Sequence, residues 1–359
     1  MSITVKKSPL TRTDRLITIN VGDKKHRQKN NNKKGVVPMK NVLIIIQVLL
    51  MAMIVSGTAF SAYDDIGVGA RPLGMGGAFV AVADDCNASA YNPAGIGYAR
   101  KPEVGFTHII LFSGVVNYNH AGIIVPLGGF GGLGMSFGIL QEESAIYSEK
   151  TIVFSYSKRL IEAISLGVNV KMLNTGYDKE AEWVKENPYF AETSTSGFTF
   201  DVGLLAKPVS GLSIGIMGSN LAPVDVSISG SDEEKVPINI RFGLAYRLSA
   251  IADSAQQPAL KEVLETTILS VEGGSGKDRE VNATKAKAGI EAWFVKQTVG
   301  LRAGYSMKKV DKSSSSVNLG ASLKIPISDV TMRLDYAIQI LGGDLQEKLN
   351  HRISIAVTM

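Results

Sequence analysis

Val330-Thr331-Met332-Arg333-Leu334-Asp335-Tyr336-Ala337-Ile338-Gln339-Ile340 carries the clearest structural pattern in the chain. Its even-numbered positions are all apolar, and its odd-numbered positions are Thr331, Arg333, Asp335, Ala337 and Gln339. A period of two is the signature of a strand with one oily and one polar face. The run is also long. Soluble strands average about 5–6 residues, whereas a tilted membrane strand needs roughly 9–11. The same alternation recurs at 236–248, 317–325 and 352–359, where Ile353, Ile355, Val357 and Met359 oppose Arg352, Ser354, Ala356 and Thr358. In a soluble sandwich the oily face meets a second sheet, while in an outer-membrane barrel it meets lipid.

Along the rest of the chain fourteen such strands are expected, near 102–112, 115–127, 130–141, 150–159, 162–174, 197–207, 210–220, 236–248, 262–273, 284–296, 298–308, 314–326, 328–341 and 348–359. An even number suits a barrel whose two ends lie on one side of the membrane. Short turns near Gly128–Gly129, Leu160–Ile161, Pro208–Ser210, Lys296–Gln297 and Pro326–Ile327 alternate with longer polar links at 142–149, 175–196, 221–235, 274–283, 309–313 and 342–347. Two links break the rule. Ser113–Gly114 is short where a long loop is due, and 249–261 is long where a turn is due, with a small helix expected over Ala259 to Glu265. The fold class read from these features is all-β, an antiparallel transmembrane β-barrel of about fourteen strands.

Residues 39–62 read as a secretory signal. Lys40 is followed by an apolar run from Val42 to Val55 and then by small residues up to Ala62. Residues 1–38 are basic and asparagine-rich and read as a mis-called start or disordered leader. No later stretch has eighteen consecutive apolar residues, so a membrane role falls to a closed barrel. The net charge of +5 misleads. Beyond residue 62 there remain 27 basic and 31 acidic side chains, a net of about −4. No basic stripe suited to nucleic acid is present. The single cysteine, Cys86, excludes an internal disulfide and a multi-cysteine metal site.

Residues 63–101 do not alternate. Gly67 to Asp85 is glycine-rich and compact, with a short helix or turn expected at Ala78 to Ala83, and Asn92-Pro93 suits a helix start. Such a segment either folds inside the barrel as a hatch or plug, or lies outside it as a lead-in strap. The run Met75-Gly76-Gly77-Ala78-Phe79, the pair Asp84-Asp85 and the box Asn92-Pro93-Ala94-Gly95 resemble the PorV/PorQ group of FadL-type outer-membrane transporters. Weaker matches follow at Leu166 to Lys171, Phe200 to Leu205, Gly211 to Gly215 and Leu301 to Tyr305. The resemblance implies a fourteen-stranded barrel with a plug in its lumen. It makes Met75, Gly76, Gly77, Phe79, Asp84, Asp85, Asn92, Pro93 and Ala94 the candidate plug or ligand residues. One departure is the C-terminal Met359, where barrels commonly end in an aromatic residue read by the assembly machinery.

Nothing points to an enzyme, a cofactor or a metal. His108, His120 and His351 lack partners at ligand spacing and read as structural. Gly273-Gly274-Ser275-Gly276-Lys277-Asp278 lacks the spacing of a phosphate loop and reads as a flexible surface loop. Asp232-Glu233-Glu234 reads as solvated. Arg241, Arg302, Arg333, Asp201, Asp335 and Glu291 are expected to pair inside the lumen and keep it wet and rigid. The expected partners are outer-membrane lipid, the barrel-assembly machinery and small hydrophobic molecules passing the plug. The PorV likeness implies an alternative, secretion proteins meeting the long loops, for which Trp183, Pro188, Tyr189 and Phe190 form an apolar tip. An open porin is the third reading, which a plug argues against.

Overall fold

The computed structural model describes residue 63 and residues 66–187, 192–228, 233–278, 281–309, 313–342 and 349–359. The leader, the signal region, Pro188, Tyr189, Phe190 and Asp232 lie outside the described residues. Fourteen strands follow one another: β1 Glu103–Leu111, β2 Val116–Pro126, β3 Gly132–Glu142, β4 Tyr147–Ile161, β5 Ile164–Tyr177, β6 Ser194–Val209, β7 Leu212–Ser219, β8 Asn239–Arg247, β9 Ile268–Asp278, β10 Val281–Phe294, β11 Val299–Lys309, β12 Ser313–Ile327, β13 Val330–Leu341 and β14 Leu349–Thr358. Each pairs with its neighbour in the chain, and β14 closes on β1. The seam is antiparallel, running from Glu103↔Thr358 to Ile110↔His351, and the Met359 amide adds a bond to the Pro102 carbonyl at 3.0 Å. Closure removes every open strand edge, as a hydrocarbon environment demands.

The burial pattern is inverted relative to a soluble protein. Ile353 is 53% exposed while its neighbour Arg352 is 1% exposed. Leu301, Phe154 and Val170 likewise face outward, whereas Glu291, Asp201 and Asn318 are buried. Polar residues inside and apolar ones outside fit a barrel wetted by lipid.

Two sequence expectations need correction. The ninth strand was expected over 262–273, but a helix, Pro258–Thr266, occupies the first part of that range and the strand begins at Ile268. Pro258 opens the helix, where its missing amide proton costs nothing. The second concerns Gly273 to Asp278, which is not a flexible loop. It continues β9, paired with β10 from Gly273↔Ala286 to Asp278↔Val281. Crowding explains Gly276, since a Cβ there would stand 1.7 Å from Asn239 Oδ1. The short link between β1 and β2 stays tight because Phe112 and Ser113 both take positive φ, at 50° and 56°. In the link between β7 and β8, Val224, Val226 and Val236 turn inward and pack with Leu173 and Tyr63.

Candidate functional site, an N-terminal segment clasped inside the barrel

Residues 66–99 are short turns and helices: α1 Ala70–Gly74, α2 Ala88–Tyr91 and a 3-10 helix Pro93–Tyr98. Ala78 to Ala83 forms turns. Asn92 caps the 3-10 helix, its Oδ1 accepting from the Ala94 amide at 3.1 Å. The Asn92 amide group then donates to the carbonyls of Val80 at 2.9 Å and Leu204 at 3.0 Å. One side chain therefore stitches the segment to itself and to β6.

The segment meets the inner wall backbone to backbone. A Cβ on Gly289 would lie 2.3 Å from the Met75 carbonyl, and one on Gly304 would lie 2.0 Å from the Gly76 amide. Similar approaches occur at Gly167 against Ala94 and at Gly215 against Val80. Gly76 itself has φ +66°, and a Cβ there would strike the carbonyls of Ala288 and Tyr305 at 2.8 Å. The Phe79 ring is fully buried, meeting Tyr91 edge-on at 5.2 Å, with the Arg71 guanidinium 5.1 Å from its centroid. The Phe79 and Val80 amides both donate to Glu272 Oε2 at 3.0 Å.

A buried charge network clasps the segment to the wall. Arg71 grips Glu291 of β10 with two hydrogen bonds of 2.8 Å and also reaches Asp84 at 2.6 Å and Asp85 at 2.9 Å. Arg333 of β13 reaches Asp85 at 3.1 Å and Asp335 at 2.8 Å. Arg302 of β11 joins Glu291 at 2.5 Å to Asp335 at 3.3 Å, with Ser322 bonded between Arg302 and Asp335. Arg247 of β8 holds Asp84 at 2.5 Å. Desolvation pushes the Asp84 carboxyl up, but Arg71 and Arg247 outweigh it and hold it well below the usual carboxylate range. The Cys86 thiol is pushed well above its ordinary value by burial, with Asp85 and Glu103 adding to it.

All nine candidate residues therefore lie in one body within the barrel. Eight are buried, and Asp84 keeps one side open. The expected lumenal charges are buried too, but Arg302, Arg333, Asp335 and Glu291 bind the segment and one another rather than lining a wet channel. Arg241 donates to the carbonyls of Ala90 and Tyr91, and Asp201 pairs with Lys171 at 2.7 Å. The sequence reading missed Arg71, Glu272 and Arg352, whose Nη2 donates to the Ile66 carbonyl at 2.5 Å. Arg71 carried a faint signal, as the only charge between Gly67 and Val82. His108 and His351 find partners across the wall, Asn119 and Tyr336, each at 2.8 Å. Among the described residues no group of His, Cys, Asp and Glu is arranged to hold a metal ion.

Between the segment and strands β2 to β8 lies a cavity of about 160 Å³, on the side of the long links. On the outer wall, a shallow apolar groove of about 550 Å³ crosses β7 to β11, between Leu244, Leu269, Val271, Ile290 and Tyr305. Gly289 and Gly304, which border the groove, are the residues that Met75 and Gly76 press from within.

No family model matches the chain, and no curated protein matches it. Solved structures do. The chain is similar to the CymD monoaromatic hydrocarbon channel, with 11% identity and a TM-score of 0.55 over 83% of this chain and 98% of that one. It is similar to a FadL homologue from Pseudomonas aeruginosa, with 10% identity and a TM-score of 0.55 over 84% and 99%. The toluene transporter TodX of Pseudomonas putida gives 15% identity and a TM-score of 0.52 over 82% and 98%. At these identities the likeness is one of fold, and the fold is that of a FadL-type bacterial outer-membrane barrel. No comparison supports the secretion role that the PorV/PorQ resemblance implied.

Proposed function

We propose that this outer-membrane barrel passes small hydrophobic molecules inward, and that residues 63–101 are the plug that must shift to let them through. The observation that carries this reading is the clasp around Arg71. Buried, mutually paired charges hold the segment to the inner wall, so moving it aside to open a path requires those pairs to part. The barrel's similarity in fold to channels named for monoaromatic hydrocarbons and toluene supports the choice of solute. The groove behind Met75 and Gly76 supports a sideways release, because there the inner face of the wall is bare backbone.

Uptake tests it. Gram-negative cells displaying the barrel should accumulate labelled toluene faster than cells with an empty vector. Equal rates overturn the reading. The plug is tested separately in planar bilayers, where a large steady current through the unaltered barrel would refute an occluding segment. We also infer that residues 39–62 are removed on export together with the leader. The intact mass of the membrane-embedded protein, starting close to Tyr63, checks this.

A further inference from the structure

The short-turn end of the barrel gathers positive charge beneath the segment. Ser157 of β4, Leu205 of β6 and Ala245 of β8 are buried, and the next inward position on each strand holds Arg159, Lys207 and Arg247. All three lie close to where their strands end. In an outer-membrane barrel the short turns face the periplasm. Arg100, just past the 3-10 helix Pro93–Tyr98, adds a fourth cation at the same end. Tyr98 is shared between two of them. Lys207 Nζ lies 3.9 Å from the ring centroid and the Arg159 guanidinium 5.9 Å from it, while the Tyr98 hydroxyl donates to the Leu205 carbonyl at 3.5 Å.

Counter-charge is scarce there. Asp84 holds Arg247 at 2.5 Å through one oxygen, but its other oxygen already serves Arg71 at 2.6 Å. Arg100, Arg159 and Lys207 pair with no carboxylate among the described residues. Asp84 attracts Lys207 from beyond ion-pair distance, against the opposing charges of Arg100, Arg159 and Arg247. Like charges held together repel, and an aromatic face replaces only part of the hydration that a half-buried ammonium gives up. An anion from solution can reach the group, since Arg100 and Arg159 are exposed and the Arg247 side chain is 41% exposed.

We propose that this vestibule is a binding site for a phosphate group, held by Arg159, Lys207 and Arg247, with Arg100 closing it from the segment side. A carboxylate brings a single charge, whereas a free phosphate or phosphate monoester brings about −1.5 to −2 at neutral pH. Its oxygens also match the guanidinium fork in pairs. Two sources offer this chemistry, soluble phosphate in the periplasm and a phospholipid headgroup of the inner leaflet. The adjoining β4–β5 turn suits the second, because Leu160 and Ile161 are 57% and 58% exposed beside Arg159. Once bound, the anion ties the exit end of the segment to three strands of the wall. The site goes beyond the conduit reading and does not depend on which solute passes.

Phosphorus NMR on the purified full-length barrel in a phosphate-free detergent reads binding directly, with inorganic phosphate as the probe. Unaltered protein should broaden the phosphate signal saturably, hold phosphate more tightly than acetate, and lose it as salt rises. Arg159→Gln and Lys207→Gln each remove one charge from the cluster and should weaken phosphate by roughly three- to tenfold. Lys158→Gln removes the same charge one residue away, on the outward face of β4, and should leave binding unchanged. Heat-modifiable migration on gels confirms that the three variants fold. Absence of saturable binding, acetate held as tightly as phosphate, or an equal loss in Lys158→Gln overturns the proposal. Vesicles separate the two sources. Loss of phosphate binding when cardiolipin is added to phosphatidylcholine vesicles assigns the site to a headgroup, and unchanged binding assigns it to the soluble ion. Toluene uptake is measured independently, so a barrel that takes up toluene but binds no phosphate sinks only this inference, and the converse sinks only the conduit.

Discussion

Arg71 gathers three carboxylates that the chain scatters, Asp84 and Asp85 thirteen and fourteen residues away and Glu291 at a separation of 220. Removing one partner of a buried ionic group leaves the others uncompensated, at a cost of about 3–5 kcal/mol. Arg71→Ala is therefore expected to lower the unfolding free energy of the barrel in lipid vesicles by that order in urea titrations. In planar bilayers it should also bring bursts of ion current that the unaltered protein lacks. A change confined to stability, with no added current, would mean that the clasp braces the fold without closing the lumen. Packing at the wall is as demanding. A Cβ on Gly215 would come within 2.3 Å of the Val80 carbonyl, so Gly215→Val should destabilise by about 1–3 kcal/mol or more. Limited proteolysis should then cut within residues 66–101, which the unaltered protein protects.

At the scale of elements, the alternation of β13 and β14 does the sorting. Ile353 points to lipid, and an arginine on that face costs about 2–4 kcal/mol near the middle of the bilayer and less towards its edges. Ile353→Arg should lower the folding free energy in vesicles by an amount within that range, and a value near zero would place the residue outside the hydrocarbon. The 3-10 helix Pro93–Tyr98 depends on its cap. Asn92→Ala removes a capping bond worth about 1 kcal/mol and strands the Val80 carbonyl that the side chain served, so a larger loss is expected by the same titration. This scale was the most legible in the sequence, because a period of two reports the face of every residue without knowledge of its partners. The ninth strand was misplaced because Leu260, Val263 and Leu264 keep an apolar content that fits helix or strand, and only Pro258 marks the difference. The segment of residues 66–101 was recognisable by its lack of alternation. Its clasp was not, since an arginine's partner more than two hundred residues away leaves no local trace.

For the whole molecule, the closed barrel and the segment inside it behave as one body, and the single cysteine reports on their union. Cys86 is 5% exposed, packed against Gly105 of β1, and its thiol is held in the protonated form. Thiolate is the reactive species. Maleimide labelling of the native protein should therefore be slow, and it should accelerate in Arg71→Ala if the segment swings away as a unit. Labelling that is fast from the start would show a loosely seated segment.

The wall makes room for its occupant by leaving side chains off. Where Gly289 pairs with Gly304, the inner contour is set by what is missing, so neither surface can drift in evolution without the other. A barrel of the same architecture with alanine or valine at those two places would refuse this segment, and a bulkier segment borrowed from elsewhere would be refused by this barrel. Such exchanges should yield hollow, leaking cylinders, however well each half is formed.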